Sequence, residues 1–201
     1  MAGNHSPEIR IRALGVRQGD GQSRARERLL AEAFVLFYVQ GIRAVGIDLL
    51  ITRSGVAKAT FYRHFPSKDD LVLVYLDRRH RSWLAWLRES VDLRDTAEQL
   101  LAVFDSLEEL FADPLFRGSA TINAVAEVGA ISAAVRGYAR EHAGELEGYL
   151  ADLAKVAGRP RPTELAQQLG LLVDGAFVGA QRARDPGPAR TARAVAERLL
   201  M

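Results

Sequence analysis

The sequence predicts an all-α fold of about nine helices, and three observations carry that expectation. Apolar residues recur at helical spacing through nearly all of the chain after residue 22, no stretch alternates apolar and polar residues as a half-buried strand would, and glycine or proline interrupts the stripes at helix-length intervals. With 201 residues and 48% hydrophobic content, the chain can bury one substantial core, or a small module leaning on a larger one.

The elements follow in order. Residues 1–22 carry Pro7, Gly15, Gly19 and Gly21 without a sustained period and read as a flexible tail. A helix is expected from about Ser23, with Leu29, Leu30, Ala33, Phe34 and Phe37 on one stripe and Gly41 as its stop. A short helix fits Ile47 to Arg53. After Ser54-Gly55-Val56 a second short one fits Lys58 to Phe65. Ser67 then stands where a cap belongs, ahead of a long helix from about Lys68 towards Val91. Further stripes run through Leu100 to Phe111, Leu115 to Val128, Val135 to Leu153, Leu165 to Ala180 and Ala192 to Leu200. The expected domains are a tail over 1–22, a first domain over 23–68 and a larger helical domain over 69–201.

Charge is distributed unevenly. The net charge is only +2, but residues 22–68 hold eight basic side chains against three acidic ones, and from Asp69 onward 20 acids outweigh 16 bases. Positive potential is therefore concentrated where a polyanion could be held. The chain has no cysteine, which excludes disulfides and thiolate metal sites and fits a cytoplasmic protein. No apolar run approaches the length of a membrane span, and residues 1–22 lack the apolar core of a secretory leader. Catalysis is the competing function class. The sequence contains no G-x-S-x-G, phosphate-binding glycine loop, dinucleotide fingerprint or zinc spacing, so neither an enzyme, a metal site nor a cofactor is expected. A helical partner-binding adaptor is a second alternative, separated from a DNA-binding protein by whether the chain retards duplex DNA at low salt.

Two short helices around a tight turn are the minimum that presents a helix end to the major groove. Gly55 supplies the turn, because a left-handed conformation is cheap only without a side chain. Leu50, Val56, Phe61 and Phe65 can form the small core that fixes the angle. Lys58, Ala59, Thr60, Tyr62, Arg63 and His64 are left outside, a set of donors and one small residue suited to phosphates and base edges.

The run Gly55-Val56-Ala57-Lys58-Ala59-Thr60-Phe61-Tyr62-Arg63-His64-Phe65-Pro66-Ser67-Lys68 resembles the signature of the TetR (tetracycline-repressor) family, and the resemblance extends over about Arg24 to Leu76. It implies a helix-turn-helix regulator, most simply a repressor released from its operator by a small molecule. It also implies Lys58, Ala59 and Tyr62 near base edges, with Arg63 as a further candidate, and Thr60, His64 and Lys68 against phosphates, Tyr62 being a candidate for both. For His64 a packed ring is the equal alternative. Two residues depart from the family pattern. Val45-Gly46-Ile47 lacks the usual hydroxyl cap of the second helix, and Ile51 stands where alanine is usual, which calls for looser or shifted packing. Arg10, Arg12 and Arg17 could reach a minor groove from the tail.

The resemblance further implies a homodimer and an effector pocket in the second domain. Gly175 and Gly179, beside Ala176 and Ala180, permit close helix approach, so pairing is expected through the helices near 163–184 and 189–200. Effector-lining candidates are Trp83, Trp86, Phe104, Phe111, Phe116 and Tyr138 as the apolar part, with Asn123, Glu127, His142 and Asp174 as polar anchors. His142 leads these anchors, since an imidazole inside an apolar stripe needs a partner.

Overall fold

The structure is a computed structural model that describes residues 21–96 and 98–201. Among the described residues it has nine helices and no strand: α1 (Gly21–Gln40), α2 (Ile47–Ser54), α3 (Lys58–His64), α4 (Lys68–Asp92), α5 (Gln99–Phe111), α6 (Ala120–Val128), α7 (Ala133–Val156), α8 (Pro162–Ala183) and α9 (Gly187–Leu199). The expected tail, with Arg10, Arg12 and Arg17, lies outside the described residues except for residues 21 and 22. These two already belong to α1, which starts ahead of the expected Ser23.

Ser67 caps α4 as its position suggested. Its hydroxyl accepts from the Asp70 N–H (3.2 Å), while the Ser67 N–H and hydroxyl both donate to Asp70 Oδ2 (2.9 and 2.7 Å). This reciprocal box satisfies backbone groups at both ends of the first turn. Residues 115–119, expected as helix, instead form a loop. Asp113 Oδ1 accepts the Leu115 N–H (2.8 Å), its carbonyl accepts the Phe116 N–H (2.9 Å), and Gly118 has φ +88°. A local side-chain acceptor of this kind offers the backbone an alternative to helix.

The fold divides into two compact units that do not follow chain order: one comprises residues up to Arg81 with Ala120–Ala139, the other Ser82–Ser119 with Arg140–Met201. In the first, α1 buries Leu29, Leu30, Ala33, Phe34 and Phe37 in one core with Leu71, Val72, Tyr75 and Leu76 of α4. The Tyr75 ring meets Phe34 and Phe37 edge-on, at centroid distances of 5.3 and 5.4 Å. Ala124 and Val128 of α6 and Val135 of α7 complete this core. Each large apolar side chain so buried contributes roughly 1.5–3 kcal/mol. Above the core, the Arg78 guanidinium grips the Glu27 carboxylate through two bonds of 2.6 Å, joining α4 to α1.

In the second unit α9 packs on α8 and α5. Leu165, Leu169, Val173, Ala176, Phe177 and Ala180 face inward along α8, and Ala189, Ala192 and Ala196 do so along α9. Arg193 Nε donates to Asp105 Oδ1 (2.7 Å) and Arg159 Nη1 to the Leu200 carbonyl (2.6 Å), fastening the C-terminal helix.

The Glu27–Arg78 pair yields a stability prediction. Its hydrogen bonds to Arg78 hold the Glu27 carboxyl below the ordinary glutamate value, against the opposing effect of burial. A depressed native value contributes stability that is full above the unfolded-state pKa and lost as pH falls through the native one. Glu27→Gln should therefore cost about 1–2 kcal/mol at neutral pH, between the values for exposed and buried pairs. It should also flatten the loss of stability below about pH 4.5, read as denaturant midpoints across the acid range.

Candidate nucleic-acid interface

The interface is assembled from α2 and α3, neither long enough to persist alone. Leu50, Val56, Phe61 and Phe65 are all buried in the first unit's core, with the Phe61 and Phe65 centroids 6.0 Å apart. Gly55 ends α2 in the left-handed region (φ +62°, ψ 29°), its N–H donating to the Ile51 carbonyl, and the Val56 N–H reaches the same oxygen at 3.3 Å. A Cβ at residue 55 would meet no atom within 4 Å, so glycine is required there by backbone conformation rather than by space.

With Phe61 and Phe65 turned inward, helical spacing puts Lys58, Ala59, Tyr62 and Arg63 on the outer face, and all four are exposed. The Tyr62 ring stands edge-on to Phe61, centroids 5.3 Å apart, which fixes the phenol's direction while leaving the residue 44% exposed. Thr60 is half-buried. His64 is half-buried too, and its Nε2 is shielded with no hydrogen-bond partner, which favours the packed-ring alternative for this residue.

The surroundings are charged on both signs. Lys58 Nζ lies 3.5 Å from Asp48 Oδ1 on α2, both side chains well exposed, and Arg53 Nε donates to Glu32 Oε2 at 3.2 Å. Arg26 stacks over the Phe65 ring at 5.3 Å. The departures seen in the sequence have local solutions. Gly46 occupies the N-cap of α2 with no side-chain bond, and Ile51 is half-buried at the edge of the core.

Lys68, expected against phosphate, has a half-buried ammonium that donates to the Ile42 carbonyl at 2.6 Å. Loss of water around it pulls its pKa below the ordinary lysine value, with the charges of Asp69 and Glu127 opposing. Glu127, expected to anchor an effector, belongs to the first unit, where its carboxylate accepts the Arg43 N–H at 2.9 Å.

The remaining effector candidates divide. Asn123 and Tyr138 also belong to the first unit, where Tyr138 packs partly against the core. In the second unit Trp83, Phe111 and Phe116 are brought together around Phe177. The Phe177 ring lies 5.8 Å from Trp83, 5.1 Å from Phe111 and 6.1 Å from Phe116, and Phe111 meets Phe116 at 4.8 Å. Phe104 is fully buried, Trp86 is half-buried, and His142 is buried with Nδ1 3.9 Å from Glu145 Oε2. Asp174 lies on the exposed side of α8, where partial loss of water, with the charge of Glu147 adding, raises its carboxyl above the ordinary aspartate value. Sequence reasoning missed Phe177 as the hub of this cluster, although its place in the α8 stripe marked it as buried. It also missed Asp48 as the neighbour of Lys58, for which no spacing rule gives a signal.

Comparison with known proteins agrees with this geometry. Residues 29–75 match the family described as "Bacterial regulatory proteins, tetR family". The fold superposes on the crystal structure of a TetR-family transcriptional regulator from Streptomyces coelicolor with a TM-score of 0.80 and 32% identity, covering 91% of this chain and 96% of that one. A TetR-type structure from Streptomyces avermitilis gives 0.73 and 28%, covering 86% and 98%. Among curated proteins, the HTH-type transcriptional activator FasR of Mycolicibacterium smegmatis is 32% identical over 99 residues, which span 48% of this chain and 44% of FasR, less than half of that relative's length. No helix among the described residues is long and apolar enough to cross a membrane. The match over the helix-turn-helix and the full-length likeness to the Streptomyces coelicolor regulator place this chain in the TetR family of DNA-binding transcriptional regulators.

Proposed function

We propose that the protein is a cytoplasmic repressor that binds a near-palindromic operator as a homodimer and is released from it by a small molecule bound in the second unit. The observation that carries this reading is the outer face of α3. Lys58, Ala59, Tyr62 and Arg63 stand clear of the core on a helix whose direction is fixed by buried Phe61 and Phe65. Cationic and hydroxyl donors beside a small residue can approach base edges closely, and a guanidinium or ammonium can bond guanine in the major groove.

One short helix reads too few base pairs to be specific alone, which is the physical reason for a dimer. Supporting it, α8 presents Leu171 (74% exposed) and Val178 (48%) on the side away from its own core, with Asp174 and Gly175 between them. α9 adds exposed Val195 and Leu199. The two small residues singled out in the sequence have different surroundings. A Cβ at Gly179 would lie 2.9 Å from Pro188 Cβ, so that glycine serves packing within the subunit, whereas one at Gly175 would meet nothing. Gly175 thus leaves a shallow point on the outer face of α8, where a twofold-related α8 can approach closely.

The effector reading draws its support from the aromatic cluster of Trp83, Phe111, Phe116 and Phe177, side chains of the kind that line the site of a largely apolar ligand. The opposite sign of regulation, activation, is the one that FasR's name carries. The position of the selected operator relative to the promoter start, followed by transcription in vitro, separates the two: overlap with blocked initiation supports repression, and stimulated initiation overturns it.

Selection of bound duplexes from random DNA should return an inverted repeat with half-site centres about 34 Å or somewhat more apart. On that operator, Lys58→Ala and Tyr62→Ala should each weaken binding by about 1–3 kcal/mol while leaving non-specific binding nearly unchanged. Equal losses on specific and random DNA would remove both from base readout. Leu171→Arg should convert the dimer to monomer in sedimentation velocity and reduce operator affinity without lowering helical content. A variant that remains dimeric would move the interface elsewhere.

A further inference from the structure

The turn between α1 and α2 is held by side chains from outside it. The peptide group joining Ile42 to Arg43 lies between helices, so neither of its polar atoms has a helical partner. Its carbonyl accepts from Lys68 Nζ at 2.6 Å, and its N–H donates to Glu127 Oε2 at 2.9 Å. A single peptide group therefore stands between an ammonium and a carboxylate, oxygen towards the cation and N–H towards the anion, the orientation in which both charges stabilise its dipole. The cation is the first residue of α4 and the anion lies one residue before the end of α6, 26 and 84 positions along the chain from their respective partners.

The turn is shaped around this arrangement. Gly41 has φ +90°, a conformation that favours glycine, and a Cβ on it would lie 2.8 Å from a Glu127 carboxylate oxygen, so a side chain there would also push the carboxylate from its place. Ile42 and Val45 are buried on the inner side. The N-cap of α2, Gly46, has no side-chain bond of its own. In the absence of a capping hydroxyl, the start of α2 takes its position from the turn before it.

We propose that Lys68 and Glu127 are a pair of positioning residues for operator binding, bracketing the Ile42–Arg43 peptide so that α2, and the recognition helix α3 packed on it, are held in the binding geometry. The inference rests on the operator reading of α3. It gives Lys68 an internal task, with its charge offset by Glu127, so Lys68 adds little to the electrostatic attraction of phosphate. It also makes α6, a helix far along the chain, part of the DNA-reading apparatus.

The test uses the full chain with Glu127→Ala, Glu127→Gln, Lys68→Met and the Glu127→Ala/Lys68→Met double variant. Affinity for the selected operator is measured across a salt series, and the Arg43 amide resonance is followed in the free protein. Glu127→Ala should move that amide upfield and lower operator affinity about ten-fold. Glu127→Gln keeps an acceptor oxygen and should recover much of the loss, a rescue that general loosening of the core would not give. Lys68→Met should weaken binding similarly with an unchanged salt slope, and the double variant should be little worse than the worse single one. The inference is overturned if Lys68→Met reduces the salt slope by about one unit, the mark of a lost phosphate contact. It is equally overturned if Glu127→Ala shifts the Arg43 amide but leaves operator affinity intact. If the unmodified protein binds no selected duplex, the operator reading fails and the positioning role with it. The Arg43 amide then reports separately whether the bracket exists.

Discussion

A seven-residue helix does not hold itself together in water, because nucleating it fixes more dihedral angles than its few hydrogen bonds reward. α3 persists because Phe61 and Phe65 are buried against the core that α1 and α4 share, and everything read from its outer face depends on that burial. The same two rings set the rotation of the helix about its axis. A shift of the apolar pair by one position would carry Lys58 and Tyr62 away from the surface they now occupy. The face proposed to read DNA is thus the complement of a packing constraint, and Gly55 contributes to it, since the left-handed turn it makes lets α3 pack on α2.

The core that holds α3 is not made from neighbouring sequence alone. α6 contributes Ala124 and Val128, and α7 contributes Val135, from a part of the chain that the length of the helix-turn-helix signature would assign to another domain. Burial of apolar area is indifferent to sequence separation once the loops have been closed, and closure costs grow only slowly with length. The consequence is that side chains near residue 127 can act on the turn at residue 42. α4, continuous from Lys68 to Asp92, has its first part in one compact unit and its last turns in the other.

Most of the fold was legible because helices announce themselves locally. The stripes of α1, α4, α5, α7 and α8, the Ser67 cap and the Gly55 turn all depend on spacing within one or two turns. The loop at 115–119 was not legible, because helix-compatible residues there yield to a side-chain acceptor on Asp113 that periodicity ignores. In the site, the outward set Lys58, Ala59, Tyr62 and Arg63 could be read from the inward pair Phe61 and Phe65. Lys68 could not. Its residue type suits phosphate, but whether its ammonium turns outward or to a backbone carbonyl depends on Ile42 and Glu127, neither of them on its helix. Among the effector candidates, Trp83, Phe111 and Phe116 lie around one ring, Phe177, while Asn123, Glu127 and Tyr138 belong to the other unit, a division that composition does not carry.

The pairing of Lys58 with Asp48 adds a last point about how the interface is arranged before DNA arrives. Both side chains are well exposed at 3.5 Å, so the pair is screened by solvent and worth well under about 1 kcal/mol. A lysine in so weak a pair is held near one orientation at little cost, and exchanging Asp48 for a base edge or phosphate loses almost nothing. The acid has a second effect, since its charge would repel phosphate and disfavour an approach of DNA in which Lys58 gains no contact. In the proposed complex a weakly held cation beside a carboxylate would favour the right sequence through what Lys58 gains and penalise the wrong one through the repulsion between Asp48 and phosphate. By contrast Lys68, itself half-buried and bonded to the carbonyl of buried Ile42 at 2.6 Å, has no such freedom to exchange. Two lysines ten residues apart in one signature thus differ in how much water each retains.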